Sequence, residues 1–182
     1  MNASAARPHS HAPWHAAGFT MTELVAVIAI LGIVALAASN PVLSSMTTMR
    51  ARAAGARLTT DIRLMQRTAM ASGLRTWVAL STGSNNYRLY IEDPANPGKA
   101  GRKAFTHPFS QDSGAVQFGS GPFAGVSITG VNINSTSEIE FDSLGVPYDG
   151  SGAALTSTGQ VSLSSGVTIT LQPVSGLVER AG

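Results

Sequence analysis

The chain of 182 residues contains no cysteine, and charged residues make up only 12% of it. Without cysteine there can be no disulfide and no thiol nucleophile. Histidine is also scarce, because His107 is the only histidine after residue 18. A zinc site made of the usual ligands therefore has too few candidates. Nucleophile-elbow and phosphate-loop motifs are missing as well, so we expect no enzyme, no metal and no cofactor.

Charge is missing altogether from 26 consecutive residues, 24–49. As an α-helix, this run would extend about 39 Å, which exceeds the roughly 30 Å core of a bilayer. Glu23 lies directly before the run. A carboxylate at membrane depth costs at least about 2.5 kcal/mol, so it usually has a function and a partner. The sequence therefore predicts a membrane helix with a functional acid at its start.

An ordinary secretory signal is the alternative interpretation of the same region. Arg7 would be its basic part, residues 24–34 its apolar part, and residues 35–37 its small-x-small cleavage site. The product would be a soluble β protein that starts near Ala38. Glu23 opposes this interpretation, as does the continuation of helix signals beyond residue 38.

The pattern of charged and apolar residues divides the chain into four segments. The predicted segments are a polar segment at 1–18, a transmembrane helix at 19–41, an amphipathic helix at 42–73 and a β domain at 74–182. Proline removes a helix hydrogen bond and disfavours helix at the residue before it. We therefore expect a kink or a short melted segment near Pro41.

The amphipathic helix has one apolar stripe. Its core positions recur at spacings of four, three and four: Leu58, Ile62, Met65 and Ala69. Less regular positions extend the stripe backwards: Met46, Met49 and Ala53. Gly73 follows and suits the left-handed residue that ends a helix. The stripe predicts a helix that packs on a sheet.

After residue 73 the period shortens to two, which is typical of strands. Strands are predicted at 76–80, 87–91, 115–118, 126–128, 131–134, 138–142, 160–163 and 167–172. Gly130 suggests a turn or a bulge, residues 93–102 a mobile loop, and residues 143–153 a turn. One long helix followed by strands alone predicts an α+β fold, with the helix packed on an antiparallel sheet.

Charge is distributed unevenly along the chain. Residues 42–103 hold ten Arg and Lys against three acids, a net charge of +7, and residues 104–182 carry a net charge of −5. In the strand at 138–142, Ile139 and Phe141 are predicted to point inward and the three acids outward. The asymmetry is compatible with head-to-tail stacking in a polymer, or with two solvated faces of unlike composition.

The segment Gly18-Phe19-Thr20-Met21-Thr22-Glu23-Leu24, followed by its apolar run, resembles the N-terminal signal of type IV prepilins and type II secretion pseudopilins. The resemblance implies that residues 1–18 are a leader, that a prepilin peptidase cuts after Gly18, and that Phe19 is then N-methylated. It implies as well that the helix at 19–41 forms part of a filament core once it leaves the membrane. It also implies that Glu23 neutralises the terminal ammonium of a neighbouring subunit during assembly. A carboxylate in low dielectric needs such a partner.

The C-terminal part is similar to minor pilins and minor pseudopilins of the GspH/FimT family and to MSHA-type minor pilins. The similarity lies in Ile139-x-Phe141-Asp142-x-x-Gly145-x-Pro147 and in the segment 167–176. It implies a minor structural subunit that is anchored in the inner membrane and has its β domain in the periplasm. The implied partners are other pilin or pseudopilin subunits and an inner-membrane assembly platform.

DNA binding for uptake is the alternative from another functional class. The residues that could contact phosphates weakly are Lys99, Arg102, Lys103 and Arg180. Related DNA-binding pilins use a basic Gly-Arg-x-Arg ending, whereas this chain reads Gly176-Leu177-Val178-Glu179-Arg180 there. One arginine beside a glutamate cannot provide a multi-phosphate footprint, so the sequence argues against nucleic acid.

Overall fold

The computed structural model describes residues 19–107 and 113–182, without the side chains of residues 37–44. The predicted leader, including Gly18, lies outside the described residues. The chain forms two compact units, Met1–Pro41 and Val42–Gly182. The described residues form one α-helix followed by antiparallel strands, which confirms the predicted α+β class.

The helix is α1, Met21–Ser72. The strands are β1 (Thr76–Ser81), β2 (Asn86–Ile91), β3 (Lys103–Ala104), β4 (Ala115–Gln117), β5 (Ile128–Asn132), β6 (Glu138–Phe141), β7 (Pro147–Asp149), β8 (Gly159–Leu163), β9 (Thr168–Leu171) and β10 (Val178–Ala181). Three single turns of 3-10 helix occur at Lys99–Gly101, Gly121–Phe123 and Ser164–Gly166.

Helix α1 is assigned without interruption through residues 39–41, so the melted segment does not occur there. A kink at Pro41 stays a prediction. The helix ends as expected, because Gly73 has φ 70° and donates its N–H to the Ala69 carbonyl at 2.9 Å. Glycine adopts this left-handed conformation without a steric cost, and it thereby satisfies one of the last helix carbonyls.

The predicted stripe is confirmed in its central part, since Leu58, Ile62, Met65 and Ala69 are fully buried. Its backward extension is wrong, because Met46, Met49 and Ala53 are exposed. The buried face continues instead through small residues, Ala51, Ala54 and Gly55. A Cβ at position 55 would lie 2.7 Å from the Val167 side chain. The helix and the sheet approach closely here, so the buried positions carry small residues. The prediction had followed the larger hydrophobic residues, which lie on the exposed side.

The strands form two antiparallel sheets in the unit Val42–Gly182. Five strands of one sheet run in the order β3-β2-β1-β6-β7, and β4 pairs with β2. The other sheet has the order β10-β9-β8-β5, and its register shifts between Ile128 and Gly130, as the expected bulge requires. Buried side chains from α1 and both sheets form one core that lies wholly within residues 51–178. This unit therefore contains its own hydrophobic core.

The predictions missed three strands and separated one into two parts. The region predicted as a turn at 143–153 contains β7, and the short β3 and the terminal β10 were not predicted. The segments predicted at 126–128 and 131–134 form the single strand β5. Short strands of two to four residues give too few alternations for a period of two to be recognised.

A buried hydrogen-bonded group connects α1 to β2. Tyr87 donates its hydroxyl to Asp61 Oδ2 at 2.6 Å, and Arg57 Nε donates to the same oxygen at 3.0 Å. Asp61 is 1% exposed and Tyr87 is fully buried. Burial, followed by the Asp61 charge, raises the pKa of Tyr87 far above its usual range, so the phenol stays protonated and donates.

Asp61→Ala is expected to lower the free energy of unfolding of residues 42–182 by about 2–4 kcal/mol, because it leaves the buried Tyr87 hydroxyl without an acceptor. Asp61→Asn keeps an acceptor oxygen and should cost less. Urea denaturation measures the difference, with Thr60→Ala on the neighbouring exposed position as control. An Asp61→Ala variant as stable as that control would contradict the structural role.

Asp149 organises the turn after β7. Its Oδ1 accepts hydrogen bonds from the Ser151 N–H and Oγ and from the Ala153 N–H, and its Oδ2 accepts one from Asn134 Nδ2. The Ser151 hydroxyl, together with these further donors, lowers the pKa of Asp149 to about 2. Asp142 likewise accepts from Leu144 and Val146. Asp149 and Asp142 therefore each stabilise the turn in which they lie.

The lowered pKa of Asp149 predicts a contribution to acid stability. The charged carboxylate stabilises the fold fully above the unfolded pKa near 4, and this contribution is lost as pH falls towards about 2. Asp149→Ala should therefore make the stability slope over that interval shallower, by up to about 1.4 kcal/mol per pH unit. Ser151→Ala should give an intermediate slope. Identical pH profiles for wild type and Asp149→Ala would contradict this assignment.

Candidate processing and assembly site

The N-terminal end of α1 is closed by a reciprocal pair of side chains. Thr20 precedes the first helical residue and accepts the Glu23 N–H on its Oγ1 at 3.2 Å. Glu23 Oε2 in turn accepts the Thr20 N–H at 3.4 Å. This is a capping box, in which each side chain satisfies a backbone donor that the helix leaves unpaired. The sequence signal for it is the pattern Thr20-x-x-Glu23 directly before an apolar run.

The capping box determines where the Glu23 carboxylate lies. It folds back over the first turn, towards the residue that follows Phe19, and it remains exposed to solvent. The N-terminal end of a helix also stabilises negative charge. The arrangement therefore presents one fixed negative charge close to the point where cleavage after Gly18 would create a new amine. Gly18 itself lies outside the described residues.

The helix residues that follow this charge, 24–36, are all apolar or glycine. Phe19 and Met21 are each 82% exposed, and the described side chains from Leu24 to Leu36 are all exposed. A continuous apolar surface of this kind is not stable in water and needs lipid or protein around it. Within residues 19–107 and 113–182, no helix combines the length and apolar character required to cross a membrane.

The basic cluster considered for DNA is occupied by carboxylates of the same chain. Glu138 forms ion pairs with both Lys99 and Arg102, and Lys103 pairs with Asp93 at 2.8 Å. The Lys103 contact also lowers the pKa of Asp93. These contacts reduce the charge available to a phosphate backbone.

The remaining candidate, Arg180, donates to the Arg52 carbonyl at 2.8 Å. It lies on β10 and is separated from the cluster at residues 99–103, which belongs to the other sheet. Three of the four residues predicted to contact phosphate, Lys99, Arg102 and Lys103, are thus paired with acids, and Arg180 lies on a strand of the other sheet.

The expected outward position of the acids in β6 is wrong for two of them, because Glu138 and Glu140 are buried. The segment 93–102, predicted as a mobile loop, covers this face of the sheet. Arg102 lies 4.2 Å from the Tyr90 ring centroid and 5.8 Å from that of Trp77. Each buried acid has a partner, and Trp77 Nε1 donates to Glu140 at 2.9 Å. Alternation alone could not show that a loop covers the second face of the sheet.

Comparison with known proteins gives one positive finding. The family described as the prokaryotic N-terminal methylation motif matches residues 15–39. No curated protein and no solved structure matches the chain significantly.

The match and the capping geometry together support a type IV prepilin-like protein that is processed by prepilin peptidase. Such a motif implies a chain that is anchored in a membrane before it enters a pilus-type assembly. It also implies contact with other pilin subunits and with assembly machinery in general. The predicted resemblance to type IV prepilins is confirmed at this level, and the individual roles of Gly18, Phe19 and Glu23 stay predictions.

Proposed function

We propose that the chain is a minor pilin or minor pseudopilin, a structural subunit of a type IV pilus or of a type II secretion pseudopilus. Prepilin peptidase removes residues 1–18, and Phe19 becomes the methylated N-terminus. The observation that carries this proposal is the methylation motif at residues 15–39, with Glu23 held at the helix start. The minor class rests on the similarity of the C-terminal segments to GspH/FimT proteins.

In this proposal the precursor crosses the inner membrane once, with the β domain on the periplasmic side. The uncharged run 24–49 anchors it there, and an inner-membrane platform then moves it into the filament. In the filament the exposed apolar surface of residues 19–36 packs against the same surface of neighbouring subunits. The function is structural and requires no catalysis.

Glu23 has a defined electrostatic role in this mechanism. When a subunit enters the apolar core of a filament, its terminal ammonium loses water and needs an anion nearby. The carboxylate of an adjacent subunit, already oriented by its own Thr20, meets that requirement with little additional ordering. The pair forms only in the assembly, which couples charge neutralisation to correct axial position.

Mass spectrometry of the mature N-terminus tests the proposed processing. We expect a chain that begins with N-methyl-Phe19, because the motif directs both cleavage and methylation. A chain that begins near Ala38 would instead show an ordinary secretory signal and would contradict the proposal. A chain that begins with unmodified Phe19 would support cleavage after Gly18 and contradict methylation.

A further inference from the structure

Four large apolar side chains are exposed close to the C-terminal end of α1. Met70 belongs to the helix, Leu144 to the turn after β6, and Val174 and Leu177 to the turn between β9 and β10. Their exposed fractions are 49%, 78%, 77% and 52%. We call these four residues the terminal apolar patch.

Gln66 joins the three segments that carry the patch. Its Nε2 donates to the Gly145 carbonyl at 2.9 Å and to the Ser175 carbonyl at 3.0 Å. A Cβ at position 145 would lie 2.9 Å from Met70 Sδ, and one at position 176 would lie 3.0 Å from the Gly145 carbonyl oxygen. The two turns and the helix are therefore in direct contact, and the patch is held in a fixed arrangement.

Val174 occupies a backbone conformation that β-branched residues rarely adopt, with φ 66°. The Ser175 N–H donates to the Pro173 carbonyl at 2.7 Å, which makes Val174 the centre of a strained γ-turn. The side chain gains no burial in return, since it is 77% exposed. Strain that is kept without a gain in packing points to a function for the exposed side chain.

The size of the patch restricts the kind of partner. Four side chains cover far less than the roughly 800 Å² per partner of a stable independent complex. A contact this small is effective when other contacts already hold the two molecules together. Subunits of a polymer meet this condition, and the methylation motif implies neighbours of the pilin type.

The opposite end of the amphipathic helix offers a matching surface. Met46 and Met49 are 47% and 70% exposed. Met49 and Met70 are 21 residues apart, which corresponds to about 32 Å along a helix. Contact between two different surfaces of neighbouring subunits repeats along a filament, whereas contact of one surface with itself closes into a dimer. Methionine also adapts well to irregular apolar partners.

We propose that the terminal apolar patch docks on an adjacent pilin-type subunit of the same filament. Its partner surface is the helix just after the neighbour's apolar segment, where exposed apolar side chains correspond to Met46 and Met49 of this chain. The proposal rests on the proposed function and adds to it the surface through which the β domain takes its place in the assembly. Val174 is the central contact because its side chain is exposed on a strained backbone.

Photo-crosslinking of the full-length chain in its own cells tests the contact. A benzophenone amino acid replaces Val174, or Thr156 as an exposed polar control, and adducts in sheared filaments and membranes are identified by mass spectrometry. We expect position 174 to capture the helix of a chain with a methylated N-terminus. Adducts only with lipid, with a protein of another class or with a neighbour's β domain would overturn the proposal. Capture no greater than that of the control would do the same.

Val174→Gly separates docking from stability. Glycine accepts positive φ and removes the apolar side chain, so the melting temperature should stay equal or rise. Incorporation into filaments should nevertheless fall by about tenfold, the effect of losing a contact of about 1.4 kcal/mol. Wild-type incorporation of Val174→Gly would reject the docking role. If a normally methylated Phe19 accompanies that result, the patch proposal fails while the proposed function stands. If Phe19 is not the N-terminus, the proposed function fails.

Discussion

In the Gly18→Ala variant the leader is expected to remain attached to nearly all of the protein. A peptidase site that fits closely around glycine at the scissile bond has little room for a larger residue. One added carbon is therefore expected to lower the cleavage rate by about tenfold or more. The precursor should stay at its full 182 residues and should not enter filaments. Immunoblotting with intact-mass analysis measures the ratio of precursor to mature chain.

Ala17→Gly, one residue earlier, is the matched control for Gly18→Ala. It changes the leader by the same single carbon and should be processed normally. A Gly18→Ala chain that is trimmed to Phe19 at the wild-type rate would reject the cleavage site. Trimming of both variants near Ala38 would favour the secretory-signal interpretation.

Glu23→Ala is expected to reduce incorporation into filaments by about a hundredfold while membrane insertion stays normal. Without Glu23 the terminal ammonium of the neighbouring subunit has no counter-charge in an apolar environment. This makes assembly less favourable by about 3 kcal/mol or more. The change also removes the capping box, which is worth about 1 kcal/mol to the helix. Sheared filaments and membrane fractions, quantified separately, measure the two steps.

Two further variants distinguish the charge of Glu23 from its capping role. Glu23→Gln keeps an oxygen that can accept the Thr20 N–H but carries no charge, so it should fail almost as severely as alanine. Thr20→Val removes the reciprocal acceptor and keeps the charge, so its effect should be small. Normal incorporation of Glu23→Gln, together with failure of Thr20→Val, would assign Glu23 a capping role alone.

Glu23 and the terminal apolar patch are proposed to make separate contacts in the filament. Glu23 acts where apolar helices meet, and the terminal apolar patch acts between the β domain and the helix of a neighbouring subunit, at residues far apart in the sequence. A variant of one should not affect processing at Gly18, and the effects of single variants on incorporation should be roughly additive if the sites are independent. Strong non-additivity would indicate that one contact must form before the other.

The central part of the fold could be predicted from the sequence because its signals are local and periodic. The stripe of Leu58, Ile62, Met65 and Ala69, the glycine that ends the helix and the hairpin of β1 and β2 all follow from short-range patterns. The missed strands β3, β7 and β10 are short and depend on pairing with distant partners. Their formation is decided by the sheet they join.

The candidate site shows the same division between local and distant information. The residues Gly18, Phe19 and Glu23 stand out in the sequence because a lone acid at the start of an apolar run is rare. By contrast, the basic residues at 99–103 looked available for phosphate. They are paired with Glu138 and Asp93, which other segments bring to them.

The sequence by itself determined the N-terminal methylation motif, the helix and the class of fold, because each depends on neighbouring residues and on simple periodicity. Tertiary structure alone decided which cations are paired with acids and that Glu138 and Glu140 are buried. It also decided that four apolar side chains from three segments form one exposed patch. Contacts between distant residues create these features, and no local pattern encodes which segments will meet.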